Sequence, residues 1–408
     1  MPTKLFGANT TYTSGTRFAG GFNANFIIRD VEKKLWLLEP YNYPLFQYLF
    51  MQKNKSHTTN HVRSLYEWGQ DELIQNLDTL VSATGGGGVT LTATIADSTY
   101  VVPGKRFRLE DTDETGTVVT VPGGGVTFTA LRDAGLNWTA PSNNTNIHWI
   151  GEAYSENAAY PTAVSTSKFM PFTYAQIFQK TISMSDRMIA STINGGTYGG
   201  NDWDNQMKSR GLEMKRDIEQ AFWMNPAPFT TTVANVLTTF TGGVWQFIID
   251  GGGFVDSYTG ALTEAKWDGF LKQKKYGSNM CTAFCGVDAA ADLETIVKNR
   301  YSNRGPVKKY GAIEGSNNVD VIEYAAVGKT VDIIRNPLWE GKYAKKVVLL
   351  DDMYVELVNM ANDKKGSRKM RIELGIQTNG APREDAQILA DVGVAVKCGP
   401  AHCILNGN

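Results

Sequence analysis

The sequence predicts an α+β chain, and three observations carry that reading. Residues 84–152 form a block of short alternating apolar and polar runs between glycine clusters, one long amphipathic helix covers about 202–224, and helices alternate with strands from 244 to 340. The 408 residues carry 40 Lys+Arg against 41 Asp+Glu, and their length suggests two or three lobes. Glycine, at 41 residues, stands near 10% against an ordinary ~7%, which argues against a helical bundle or coiled coil. With 18 Phe, 17 Tyr and 9 Trp there is enough bulk to fill a core, so the composition excludes a disordered chain. A net charge of -1 argues against a dedicated nucleic-acid binder, which neutralises phosphates with many clustered cations.

Residues 1–29 hold Phe6, Tyr12, Phe18, Phe22 and Phe26 without helical or alternating periodicity, which predicts an extended arm whose aromatics lie against the molecule or a neighbouring copy. No basic segment followed by an apolar core opens the chain, so no signal peptide is expected. The most apolar window, Leu35 to Met51, is broken by Glu39, Pro40 and Pro44 and falls short of the ~20 residues of a membrane helix. Asp30 is placed to cap a short helix that Pro40 stops, and Leu45, Phe46, Leu49 and Phe50 recur at helical spacing.

The block at 84–152 contains VTLTATI, KRFRLE, GTVVTV, VTFTAL and NIHWIG, each rich in Val, Thr, Ile or Phe, and predicts a small antiparallel sheet or barrel. FTYAQIFQKTISMS then reads as extended. In the long helix Trp203, Met207, Met214, Ile218 and Phe222 share one face, Lys215 and Glu219 form an i,i+4 pair on another, and Pro226 ends the run. Residues 225–243 read as a loop. Thr263 caps a helix with Trp267, Phe270 and Leu271 inward and Gly277 as its stop, and Asp288 caps another carrying Leu293, Ile296 and Val297. Strands are expected at MCTAFCG, VDVIEYA, TVDIIR, KKVVLLDDMYVELVNM and between Lys369 and Ile404, with an exposed turn at NGAPRED.

Three apparent chemistries dissolve on inspection. VGKT at 327–330 lacks the leading glycine of a P-loop, where Glu323 stands, and predicts a plain turn between strands. Cys281 and Cys285 lie in an apolar strand where alternate residues share a face, so they and Cys398 and Cys403 read as structural thiols, and no metal or cofactor is expected. His57, His61 and His148 have no nucleophile or carboxylate at catalytic spacing, and Asp351-Asp352 and Glu384-Asp385 read as solvated turns. Four cysteines suit a reducing cytoplasm.

The order of parts adds a further reading: PYNYPLFQYLF at 40–50, EWGQDEL at 67–73, GKRFRLEDTDETGTVVTV ending in NIHWIGEA, FTYAQIFQKTISMS, MKSRGLEMKRDIEQAFW, LTEAKWDGFLKQKKYG, VDIIRNPLW, VVLLDDMYVEL and PAHCILNG. In these stretches the chain resembles the major capsid proteins of tailed bacteriophages with the Hong Kong 97-type fold, in the branch whose extended loop carries a β-rich insertion. The resemblance implies an N-terminal arm with short helices at 1–55, an extended loop at 56–183 with its insertion at about 84–152, and a peripheral domain at 184–243 holding the spine helix. An axial domain at 244–340 and return strands at 341–408 complete it. It implies a shell of hexamers and pentamers, icosahedral or prolate, around double-stranded DNA. Portal, a separate scaffold and a decoration protein are implied partners, with weak DNA contact and no membrane. The implied location is the virion, after assembly in the host bacterial cytoplasm.

Inter-subunit contacts are expected from Phe6, Tyr12, Phe18 and Phe22 on the arm. They are also expected from Glu67, Trp68, Asp71 and Glu72 at the loop entry, with Trp68 filling a pocket of the next subunit while the acids meet Lys208, Arg210, Lys215 and Arg216. Two alternatives stand beside this reading: an encapsulin-like nanocompartment shell, and a glycan-binding tail or fibre protein suggested by the aromatic, Gly-rich block.

Overall fold

The computed structural model describes residues 43–408 apart from 52–55, 59–63, 72–75, 97–100, 123–126, 155, 157–167, 191–201, 234–235, 275, 302–308, 311–320, 363–365 and 379. The arm, the helix expected after Asp30, and Glu72 lie outside the described residues. Two units pack separately, Glu67–Pro171 as one and Met1–Tyr66 with Phe172–Asn408 as the other.

In chain order α1 (Pro44–Met51), β1 (Ser56–Thr58) and β2 (Leu65–Glu67) lead into the strands of the Glu67–Pro171 unit. These are β3 (Leu77–Thr84), β4 (Thr90–Ile95), β5 (Lys105–Leu109), β6 (Thr115–Thr120), β7 (Thr127–Arg132) and β8 (Asn146–Glu152), and they close into a barrel in the order β3-β4-β7-β6-β5-β8. Alternation does the work: on β4 Leu91, Ala93 and Ile95 are buried while Thr90, Thr92 and Thr94 point outward. The inward set includes Phe107, Phe128 and Trp138, with the Phe107 and Trp138 rings stacked 5.7 Å apart. Gly116 lies under Trp138, where an added Cβ would come within 2.5 Å of the indole. Strand β3 lies ahead of the glycine cluster at 85–88 from which the sequence reading starts the block, so the barrel has one strand more than expected.

Trp68 corrects a second expectation. It is 6% exposed within its own chain, and its backbone N–H donates to the Pro171 carbonyl at 3.1 Å. A ring already sheltered by its own subunit is not available to fill a pocket on the next one. Trp68→Ala is therefore expected to lower the unfolding free energy of the transition that carries it by about 3 kcal/mol, measured by denaturant titration of unassembled subunits; an unchanged midpoint would contradict its role as an internal residue.

The other unit continues through β9 (Phe172–Tyr174), β10 (Gln176–Ser185), α2 (Asp186–Ala190) and α3 (Asp202–Met224). After α3 come β11 (Phe229–Val233), β12 (Val236–Phe240), α4 (Val244–Asp250), β13 (Phe254–Tyr258), α5 (Glu264–Gln273), β14 (Met280–Cys285) and α6 (Val287–Tyr301). The remaining strands are β15 (Lys309–Tyr310), β16 (Val321–Ala326), β17 (Lys329–Arg335), β18 (Val347–Asp351), β19 (Val355–Asn359), β20 (Arg371–Leu374), β21 (Arg383–Val396) and β22 (Cys403–Gly407). The segment read as a loop at 225–243 thus contains the β11–β12 hairpin.

A seven-stranded sheet ordered β13-β22-β18-β14-β17-β16-β15 separates two apolar cores. On β14, Cys281, Ala283 and Cys285 face one core with Trp267, Phe270 and Leu293 of α5 and α6, while Phe284 faces the other with α3 and α4. Strand β18 divides likewise, Val347 and Leu349 one way and Val348 and Leu350 the other, which is why VVLLD is a continuous apolar run and not an alternating one. The Thr263 hydroxyl caps α5 by accepting from the Lys266 N–H, as expected, but the helix ends at Gln273 before Gly277, and α6 starts at Val287 so that Asp288 lies in its first turn. A five-stranded sheet of β1, β19, β21, β10 and β20 backs α3, with β21 paired to β10 along ten residues from Gln176↔Val392 to Ser185↔Arg383.

The inward stripe of α3 is Met214, Ile218 and Phe222, widened by Trp223 and Glu219. Glu219 is fully buried and accepts four hydrogen bonds: from the N–H groups of Leu45 at 3.2 Å and Phe46 at 2.6 Å, from Trp223 Nε1 at 2.8 Å and from Asn336 Nδ2 at 2.9 Å. Pro44 begins α1 without an N–H, so Leu45 and Phe46 supply the first orphan donors of that helix and the carboxylate caps them. The expected Glu219–Lys215 pair does not form; Lys215 Nζ lies 5.8 Å over the Phe46 ring instead. Burial pushes the Glu219 carboxyl up to about 7 against the pull of its four donors.

A folded carboxyl near 7 and an ordinary one near 4.5 mean that the folded state binds more protons across that window, so the Glu219 contribution to stability falls as pH rises from about 4.5 to about 7. Glu219→Gln removes that slope. Urea unfolding of both proteins at pH 5 and pH 8 should show a difference on the order of 3 kcal/mol in their pH dependence, and parallel curves would contradict it. The comparison with the variant is needed because buried His402, pushed down to about 4, titrates in the opposite sense.

Candidate functional site

Beyond Glu219, the described interior holds a concentrated polar centre around a second buried carboxylate. Lys274 Nζ donates to Asp351 Oδ2 at 2.8 Å with both side chains fully buried, and also to the Ser278 carbonyl at 2.5 Å. Asp351 accepts further from the Ser278 N–H at 2.5 Å, the Ser278 hydroxyl at 3.2 Å and the Met353 N–H at 3.0 Å. Burial alone would raise the Asp351 carboxyl, but the bonds from Lys274 and the backbone outweigh it and hold the group below the usual carboxylate range; the same bond holds Lys274 above its ordinary value. The Asp351 N–H donates to His402 Nδ1 at 3.0 Å, which leaves the His402 proton on Nε2, 3.0 Å from the Lys397 carbonyl. Burial keeps that imidazole neutral.

This arrangement joins β18, β14, α5 and the turn before β22, and it corrects the reading of Asp351-Asp352 as a solvated turn. Asp351 ends a strand buried on both faces, so its carboxylate needed an internal cation. Removing either partner of such a pair costs about 3–5 kcal/mol. Asp352 is engaged as well, accepting from the Tyr48 hydroxyl of α1 and from Thr282 Oγ1 at 2.8 Å. With its hydrogen-bonding capacity satisfied internally and no opening to solvent at the ion pair, the cluster fits an internal fastening.

Cys281, Cys285 and Cys403 are buried thiols, with burial pushing Cys285 and Cys403 up to about 12. Among the described residues no group of three or more His, Cys, Asp or Glu is placed to hold a metal ion. Val327 and Gly328 form the two-residue turn between β16 and β17, both at positive φ, and Lys329 reaches back to the carbonyls of Leu271 and Lys274 at the end of α5. The VGKT run therefore closes a hairpin and a helix end.

The expected contact residues divide. Glu67 and Asp71 are exposed, whereas Trp68 between them is buried. On α3, Lys208 is exposed, Arg210 is bound to Glu213 at 2.6 Å, Lys215 covers Phe46, and Arg216 lies 3.9 Å from Asp217. Phe6, Tyr12, Phe18, Phe22 and Glu72 lie outside the described residues. Among the described residues no helix is long and apolar enough to cross a membrane. Sequence reasoning missed Glu219 and Asp351, and the signal for Glu219 was present: it directly follows Ile218 on the inward stripe and stands four residues before Trp223.

Solved structures with a likeness to this chain include the capsid of a native GTA particle, at 9% identity, covering 94% of this chain and 96% of that one with a TM-score of 0.45. Microbacterium phage Oxtober96 matches at 11% identity, covering 87% and 89% with a TM-score of 0.39. The holo-SrpI encapsulin complex of Synechococcus elongatus PCC 7942 matches at 14% identity, covering 59% and 77% with a TM-score of 0.42. No curated protein shows a significant sequence match. The profile of the SU10 major capsid protein family matches residues 6–408, nearly the whole chain. The chain therefore belongs to the SU10 major capsid protein family, as a structural capsid subunit and not an enzyme.

Proposed function

We propose that many copies of this chain, grouped as hexamers and pentamers, close the icosahedral or prolate head shell of a tailed phage around double-stranded DNA. The family match over residues 6–408 carries this reading. The near-neutral charge supports weak, non-specific contact with the enclosed DNA, since tight phosphate binding needs clustered cations. Assembly in the host bacterial cytoplasm, with a portal, a separate scaffold and a decoration protein as partners, belongs to the same proposal. Within the subunit, 184–243 and 341–408 would serve as the peripheral domain and 244–340 as the axial one.

Contacts between subunits are assigned to the aromatic arm at 1–29 and to the exposed acids Glu67 and Asp71, for which exposed Lys208 on α3 is the fitting partner. Negative-stain electron microscopy of the purified protein, alone and with a candidate scaffold, tests the proposal directly; particles that never close under either condition would count against it. Deleting residues 1–29 should leave a folded subunit with an unchanged circular dichroism spectrum that sediments as small species. Normal shells from the truncated chain would remove the arm from the contact set.

A further inference from the structure

Among the described residues the β11–β12 hairpin is a largely exposed two-stranded sheet. Its strands pair antiparallel from Phe229↔Phe240 to Val233↔Val236 and join no other strand among the described residues. Phe229 and Phe240 stack 4.4 Å apart at its base, while Val236 and Leu237 are 65% and 63% exposed toward its tip. An isolated two-stranded hairpin is marginal in water. Natural edge strands are usually protected by Lys, Pro or a bulge, because their unpaired N–H and C=O groups invite another strand. Here protection by charge is missing: the thirty residues from Gln220 to Ile249 contain no Asp, Glu, Lys, Arg or His.

That neutrality narrows the partner. DNA or an acidic or basic peptide would leave its charges unpaired against this surface, and desolvating unpaired charge opposes binding. A complementary surface must be equally uncharged and must offer free backbone groups. One edge of the hairpin is partly engaged, since Thr239 Oγ1 on β12 donates to the Ala175 carbonyl at 2.7 Å. Among the described residues β11 has no second strand partner, and Thr230, Thr231 and Thr232 on it are all exposed. Ladder alternation turns the backbone groups of Thr230 and Thr232 away from β12. A shell protein meets its own copies at high local concentration, and the surface that matches a neutral, unpaired edge without requiring anything else is the same edge of another copy.

The geometry points to a two-fold contact in which β11 of one copy pairs antiparallel with β11 of a second copy, centred on Thr231, so that two hairpins form one four-stranded sheet. Such an isologous contact sets residue 231 opposite itself and residue 230 opposite residue 232. Backbone bonding fixes the pair, and the threonines tolerate it because they favour strands and carry no charge.

The test uses the full-length chain in its associated form. Thr231→Cys, oxidised and run without reductant, should give a disulfide-linked dimer that neither Thr238→Cys on the opposite strand nor the unsubstituted chain gives. Thr232→Lys, at an exposed position, should weaken self-association at least tenfold with an unchanged unfolding midpoint. Mixing it with Thr230→Glu copies should restore association, because residues 232 and 230 face each other across the axis. Absence of the Thr231→Cys dimer, equal linking by Thr238→Cys, or no restoration in the mixture would overturn the pairing. The linked dimer is read directly, so the result stands whether or not closed shells form, and a failure here is distinct from a failure of shell building.

Discussion

A carboxylate with no countercharge among the described residues holds the main body of this subunit together. Glu219 sits where three stretches far apart in sequence meet, the start of α1, the end of α3 and the turn after β17, and it bonds to all three. Its partners are two backbone N–H groups, an indole and an amide, so the charge is stabilised by dipoles alone. Such a group is directional in a way an ion pair is not: each donor must be aimed. The register of α1 on α3 follows from that aim, and so does the edge-to-face contact of Trp223 with Trp339 at 4.7 Å, which brings the turn carrying Asn336 against the helix.

The second constraint is the sheet shared by two cores. A strand buried on both faces has no polar side on which to place a charge, and Asp351 at the end of β18 shows the outcome. Its carboxylate requires Lys274, whose ammonium requires the Ser278 carbonyl, and Gly277 beside them leaves no room for a side chain, since an added Cβ would approach Asp351 Oδ2 to 2.3 Å. The polar centre is thus a consequence of ending an apolar strand inside the molecule.

How much of this was legible beforehand follows the range of the interactions involved. Alternation and helical periodicity are local, so β4 to β8, α3 and α5 were readable from their own residues. The fate of Glu219 was not, because an i,i+4 lysine is the nearest visible partner and the true partners lie 117 to 174 positions away, apart from Trp223. Asp351 failed in the same manner. Strand β3 was missed because LDTLVSAT mixes its pattern around a register shift between Leu80 and Ser82, and the β11–β12 hairpin because two residues connect its strands without a glycine. Trp68 was misjudged by treating a projecting segment as unable to bury its own aromatic.

The position of β22 has a consequence in time. Among the described strands β13 has a single partner in its sheet, β22, and that partner is translated about 150 residues later. At 5–20 residues per second, a ribosome needs on the order of 10 s to supply it. Until then β13 and the near edge of β18 wait unpaired, and neither apolar core can be sealed, so the body matures as one late event and not progressively from its N-terminal side. The barrel of β3 to β8 draws every strand from one continuous stretch and is free of that delay. During synthesis the newborn subunit therefore passes through an interval with a finished barrel and an open body, in which a holding chaperone would find its binding surface on the body alone.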